Sequence, residues 1–200
     1  MQTRGMTALK NGIKTFQPKS RADWRKWLAK NHASERSVWL IIHKKVSGIK
    51  GVSYVEAVEE ALCFGWIDST ANKRDENSHY QYFAKRKPKS NWSKINKARI
   101  EKLMKDGMIM KPGLEIIETA KENGSWNTLD EIDEMITPKD LQFALKKNKK
   151  AFENWNRFSD SSKKMILYWI KSAKKDETRI KRIAETIQQA KKNMKANHPK

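Results

Sequence analysis

Glu60, Cys63 and Asp68 are the side chains whose types and spacing come nearest to chemistry. Two carboxylates act as acid and base when their surroundings separate their pKa values, and Glu60 and Asp68 would face one cleft across a helix-to-strand turn. Asp68 has structural uses as well, capping a turn or pairing with Arg86. A nucleophilic Cys63 needs a lowered thiol pKa. Glu59 and Glu60, four and three residues earlier, and the negative end of a helix would all raise it, so Cys63 reads as a small, partly buried thiol. No catalytic residue is assigned. His32, His43, His79 and His198 are scattered without helical ligand spacing, so no metal site is expected. P-loop, G-x-G-x-x-G, G-x-S-x-G and kinase motifs are absent, and no cofactor is expected.

Binding chemistry is better represented. Arg86 and Lys87, followed by Ser90, Trp92 and Asn96, set an aromatic ring beside guanidinium and amide groups that stack on, and hydrogen-bond to, a planar or anionic ligand. With Glu60, Trp66 and Asp68 they form the candidate ligand-binding set. Packing of Trp92 in a core and capping by Ser90 explain two of these residues with no ligand. Arg179, Lys181 and Arg182 are candidates for anion contact, against a structural reading as helix-end salt bridging with Glu177. Gly48-Ile49-Lys50-Gly51 beside Lys44 and Lys45 matches a phosphate-cradling loop only weakly, since two glycines in a loop are ordinary turn chemistry.

These residues need elements to position them. Ser20 precedes Asp23 and a helical face of Trp24, Trp27 and Leu28. Ser37 to His43 is apolar on both faces, which predicts a central strand covered on both sides. Ser53 with Glu56 forms a capping box opening a helix through Cys63, with Tyr54, Val58, Ala61 and Leu62 on its buried face and Glu56, Glu60 and Cys63 opposite, and Gly65 ends it. Strands follow near 66 to 71 and 79 to 85 around a polar turn at Asp75, Glu76 and Asn77. After Pro88 only helical periodicity remains. Ser90 precedes one helix, Pro112 sits in the first turn of a second that Gly124 stops, and Thr137-Pro138 opens a third. Ser159 caps a fourth, and Ile180, Ile183, Ala184, Ile187 and Ala190 form the stripe of a fifth, with a frayed tail from Lys191. The expected fold is α+β, a small mainly antiparallel sheet with helices followed by an all-α C-terminal half, divided as 1–88 and 89–200 and packed together.

The chain has 200 residues, 38% of them hydrophobic, one cysteine and 43 Lys+Arg against 23 Asp+Glu, a net charge of +20. That length suffices for a core, the single cysteine excludes a disulfide framework, and no apolar run approaches the roughly 18 residues that cross a bilayer. Met1 to Thr7 lead into no apolar stretch, so no secretory signal is expected and the cytoplasm is the expected compartment. Attraction to an anionic partner, nucleic acid or acidic protein, is expected only as diffuse lysine charge, because 33 of the basic residues are lysine.

Glu59-Glu60-Ala61-Leu62-Cys63-Phe64-Gly65-Trp66-Ile67-Asp68-Ser69 resembles the signature of the YdeI/OmpD-associated, or bacteriocin-protection, family. Phe83, Arg86-Lys87, Trp92-Ser93, Gly107-Met108, Trp126 and Trp169-Ile170 continue the resemblance, which covers roughly residues 13 to 190. The family supplies no assigned catalytic residues to carry over. Its name implies a link to an outer-membrane porin and survival of membrane-active agents; with no secretory signal expected, the expected protein is a cytoplasmic binding or interaction protein, protective under envelope stress. The alternative is an enzyme or small-ligand binder with a cleft lined by Glu60, Asp68, Arg86 and Trp92. The resemblance also implies proline before Arg86, where this chain has Lys85.

Overall fold

The strand at Ser37–His43 is the middle of a five-stranded sheet in the computed structural model, which describes residues 8–197. The strands are β1 (Leu9–Lys10), β2 (Ile13–Phe16), β3 (Ser37–His43), β4 (Trp66–Lys73) and β5 (Ser78–Lys85), in the order β1-β2-β3-β5-β4. All pairings are antiparallel except β2 with β3. Parallel neighbours need a crossover, and α1 (Arg21–Asn31) provides it. The fold is α+β.

Five consecutive residues of β3, Val38 to Ile42, are buried, as its two apolar faces require. Val38, Leu40 and Ile42 belong to the main core, while on the other face Trp39 packs edge-on against Tyr82 at 5.0 Å. The core side carries α1, α2 (Tyr54–Cys63), α3 (Lys94–Lys105) and α4 (Lys111–Glu122). Ser20 caps α1 and the Ser53–Glu56 capping box opens α2.

The contacts divide the chain into two units, one ending at Asn127 and the other beginning at Thr128. Strand gives way to helix where Pro88 suggested. Ile100 and Leu103 of α3, with Ile117 and Ala120 of α4, nevertheless complete the core of the front unit, which therefore runs beyond residue 88. The second unit contains α5 (Asp130–Asp133), α6 (Lys139–Lys146), α7 (Lys149–Arg157), α8 (Asp160–Lys171) and α9 (Asp176–Lys191) around Leu141, Leu145, Trp155, Ile166, Ile170 and Ile183. The buried Asn154 amide donates to the Ala190 carbonyl at 2.8 Å, tying α7 to α9.

Several local expectations change. Ser93, not Ser90, caps α3, and the Ser90 hydroxyl donates to the Lys87 carbonyl in the preceding turn. Pro138 occupies the N-cap position of α6 in an extended conformation, so the helix starts one residue later than Thr137-Pro138 implied. On α9 Ile180 is 66% exposed and drops out of the apolar stripe. Ala196, in the stretch expected to fray, is buried in the second core. On α2 the burial pattern is reversed at three positions: Tyr54 is exposed, whereas Glu60 and Cys63 are buried. Glu60 and Cys63 are covered by α1, which lays Arg21 and Arg25 across that face. His198 and the segment read for a secretory signal lie outside the described residues.

Candidate functional site

The turn from α2 into β4 brings the candidate residues together. Gly65 sits there at φ +72°, and a Cβ on it would stand 2.8 Å from the Pro112 carbonyl oxygen, so only glycine lets the start of α4 come this close. The approach continues one turn back. The Met110 amide donates to the Cys63 carbonyl at 3.0 Å, and a Cβ on Gly113 would lie 2.4 Å from that oxygen. Opposite, β5 ends beside β4, with Lys85 in register with Trp66, and the Arg86 amide donates to the Gly65 carbonyl at 2.9 Å.

Between these elements lies a cleft of about 450 Å³. Phe64, Gly65 and Trp66 line it from the turn, Lys85 and Arg86 from the end of β5, His32 and Ala33 from the end of α1, and Glu115 and Ile116 from α4. The Lys85 ammonium donates to the Ala33 carbonyl at 2.6 Å, and His32 Nδ1 lies 3.0 Å from the Leu28 carbonyl, which can only accept.

Arg86 is the unusual member. It is 6% exposed, and its guanidinium carbon stands 3.6 Å from the centre of the Trp92 ring. One amino group donates to the Asn91 carbonyl, while Nε and Nη1 have no partner. Burial pushes its pKa down to about 10, against an upward pull from the charge of Asp68, so the group stays cationic at neutral pH. Trp66, 1% exposed, likewise has an unpartnered indole Nε1. Buried donors without acceptors are costly, and both residues that carry them line the cleft.

Asp68 forms no ion pair with Arg86 among the described residues. Its carboxylate accepts from the Tyr54 hydroxyl at 2.8 Å and from the Gln81 amide at 3.4 Å. Burial, and then the bond to Asp68, raises the Tyr54 pKa to about 12. Glu60 is turned away from Asp68. Its two oxygens accept from Arg21 at 2.6 Å and Arg25 at 2.7 Å, and Glu59 also pairs with Arg21. Burial works downward on both guanidiniums, and the bonds and charge of Glu60 outweigh it, leaving their pKa values raised. Cys63 is buried beneath, its thiol pushed up to about 11 by burial first and the Glu60 charge second. Trp92 packs against Trp126 in the core at 4.8 Å. Asn96 stands in the first turn of α3, accepting from Arg99 at 2.8 Å. Trp66 and Arg86 are thus the two candidates in the cleft.

In the second unit Arg179 grips Asp140 with two bonds of 2.7 and 3.0 Å, and Arg182 donates to the Trp169 carbonyl and, at 2.9 Å, to the Ser172 hydroxyl. Lys181 is exposed. Among the described residues no cluster of metal-ligating side chains occurs, and no helix is long and apolar enough to cross a membrane.

Sequence reasoning missed His32, Lys85, Glu115 and Ile116 because they come from three separate elements. The signal that could have found the cleft is the pair Gly65 and Gly113, whose missing side chains allow α4 to close over the turn. Lys85 stands where the resemblance implied proline, and its amide donates to the Arg36 carbonyl at 3.1 Å, a bond proline would lack.

Neither a curated protein nor a solved structure matches the chain. Residues 16–116 match the family described as a domain of unknown function (DUF8412), a span holding most of the sheet and the cleft as far as Ile116. The motif from Glu59 to Ser69, read above as a YdeI/OmpD-associated signature, falls within that span, whereas the match to the latter family covers residues 134–193, α6 to α9. The chain thus belongs to the family of the domain of unknown function (DUF8412), and residues 134–193, later in the sequence, match the family described as Bacteriocin-protection, YdeI or OmpD-Associated.

Proposed function

We propose that the chain is a non-catalytic binding protein whose cleft beside Arg86 holds a small anionic ligand. The observation that carries this reading is the buried, cationic Arg86, which lines a 450 Å³ cleft and faces no carboxylate within ion-pair distance among the described residues. A buried guanidinium is costly alone, and an anion in the cleft supplies the countercharge. Of the carboxylates that an enzyme would use as acid and base, Glu60 is held by two arginines and Asp68 by Tyr54, and neither lines the cleft. A protective role under envelope stress, in keeping with the name of the family matched at 134–193, and a cytoplasmic place belong to the same proposal, with ligand capture as its first step.

The test is thermal denaturation of the wild-type chain and of Arg86→Gln with a panel of small anions. A ligand at about 100 times its Kd stabilises the folded state by about 2.7 kcal/mol. We expect at least one anion to raise Tm in the wild type and not in the variant. Equal shifts in both proteins, or none in either, would overturn the proposal.

A further inference from the structure

We propose that the loop between β3 and α2 docks the chain on an anionic lipid surface, with Val46 and Ile49 entering the bilayer interface and Lys44, Lys45 and Lys50 on the headgroups. None of these residues lines the cleft beside Arg86. Leaving β3, the chain makes a single turn of 3-10 helix, Lys45–Ser47, with Val46 88% and Ile49 51% exposed. Neither side chain holds the loop together. The Ser47 hydroxyl donates to the Lys44 carbonyl at 2.7 Å and accepts from the Ile49 amide at 3.2 Å, and Gly48, at φ +67°, closes the turn. One exposed valine would need no explanation, but two aliphatic side chains within four residues, set among three exposed lysines, make a patch of mixed character.

Charge is the second argument. No acidic residue occurs from Arg36 to Val55. The Lys44 amide donates to the Asn77 carbonyl at 2.8 Å, so the β4–β5 turn lies beside the loop, but its Asp75 and Glu76 are paired with Arg74 at 3.3 Å and Lys73 at 2.6 Å. Glu56, the first acidic residue after the loop, has its carboxylate bound by the Ser53 amide and hydroxyl. Counting Glu56 against the three lysines still leaves two positive charges. The combination selects among anionic partners. Aliphatic side chains do not stack on bases, and protein interfaces favour arginine and aromatic residues over lysine. A bilayer with acidic headgroups offers diffuse charge above hydrocarbon, which suits point-charge lysines whose stems lie along the apolar layer.

The experiment is cosedimentation of the full chain with vesicles of phosphatidylcholine alone and of phosphatidylcholine mixed with phosphatidylglycerol, at about 150 mM salt to screen diffuse charge. The wild type is expected to bind the mixed vesicles and not the neutral ones. Val46→Ser/Ile49→Ser keeps every charge and is expected to bind at least about tenfold more weakly. Lys44→Gln/Lys45→Gln/Lys50→Gln should also lose at least about tenfold, since each lysine near the surface is worth about fivefold. The same change at the exposed Lys146, Lys149 and Lys150 should alter binding by less than about twofold. Circular dichroism of every variant should match the wild type, because Ser47 and Gly48 hold the turn. Equal losses from the two lysine triples, full binding by the serine variant, equal binding to neutral vesicles or no binding at all would overturn the proposal. A single-stranded oligonucleotide should bind the wild type and the serine variant alike. A loss there matching that on vesicles would make the loop a nucleic-acid contact and sink the lipid assignment.

Discussion

The guanidinium carbon of Arg86 lies 3.6 Å from the centre of the Trp92 ring, so this buried cation rests on an aromatic face rather than on a carboxylate. A desolvated cation–π contact is worth about 2 kcal/mol, less than the cost of burying the charge. The downward shift to about 10 expresses that imbalance. With the folded pKa below the unfolded one, the charged form costs stability at neutral pH, and relief comes only as pH rises past about 10.

Arg86→Met should therefore leave the stability of the front unit within about 1 kcal/mol of wild type, or raise it, while removing anion binding. Trp92→Ala should cost about 3–5 kcal/mol, because it opens a cavity in the core beneath the stack. Urea unfolding of both variants decides. A loss above about 3 kcal/mol for Arg86→Met would mean that the guanidinium holds the fold together through contacts other than this stack.

Gly65→Ala should be among the most damaging single-methyl changes in the chain. The new Cβ would carry a left-handed φ of +72° and press on the Pro112 carbonyl at 2.8 Å, a backbone atom that cannot swing aside. Strain of about 1–3 kcal/mol is expected, together with displacement of α4 and loss of the cleft. Unchanged stability and unchanged anion binding in this variant would show that the close approach is unimportant.

Legibility of the sequence tracked how local each signal was. The Ser53–Glu56 capping box, the apolar run of β3 and the β4–β5 pair were readable because each is set by neighbouring residues. β1 and β2 were missed although Asn11-Gly12, both at positive φ, is a strong hairpin turn signal, because strands so short show no periodicity. Glu60 was misplaced for a different reason. Its burial depends on Arg21 and Arg25 from another helix, and a helical wheel of α2 alone puts a glutamate outside. The expected Asp68–Arg86 pair failed similarly, since Tyr54 from α2 takes the carboxylate. The cleft is a product of glycine-permitted contacts between elements distant in sequence, for which no single stretch carries a pattern.

Cys63 should be inert in the native state. With its thiol raised to about 11, almost none is thiolate at pH 8, and the side chain is buried as well. Labelling with a maleimide at pH 8 should wait for unfolding and then go to completion. The folded state holds the proton more tightly, so the contribution to stability is complete below the unfolded pKa of about 8.5 and fades as pH rises through 11. Rapid labelling of folded protein would contradict both the burial and the shift.

Affinity for nucleic acid should be weak, indifferent to sequence and steeply dependent on salt. The net charge of +20 supplies attraction, but specific phosphate and base contacts favour the fork of arginine. Most described arginines have internal duties: Arg21 and Arg25 on Glu60, Arg74 on Ser78, Arg99 on Asn96, Arg179 on Asp140 and Arg182 on Ser172. Arg86 is buried. That leaves mainly lysine, a point charge on a flexible stem, whose contacts release counterions without fixing register. Fluorescence anisotropy with two unrelated oligonucleotides should give equal affinities at 50 mM salt, both falling by at least about tenfold at 200 mM. Tight binding at the higher salt that prefers one sequence would require arginines freed from these partners, and would overturn the account of the charge as diffuse.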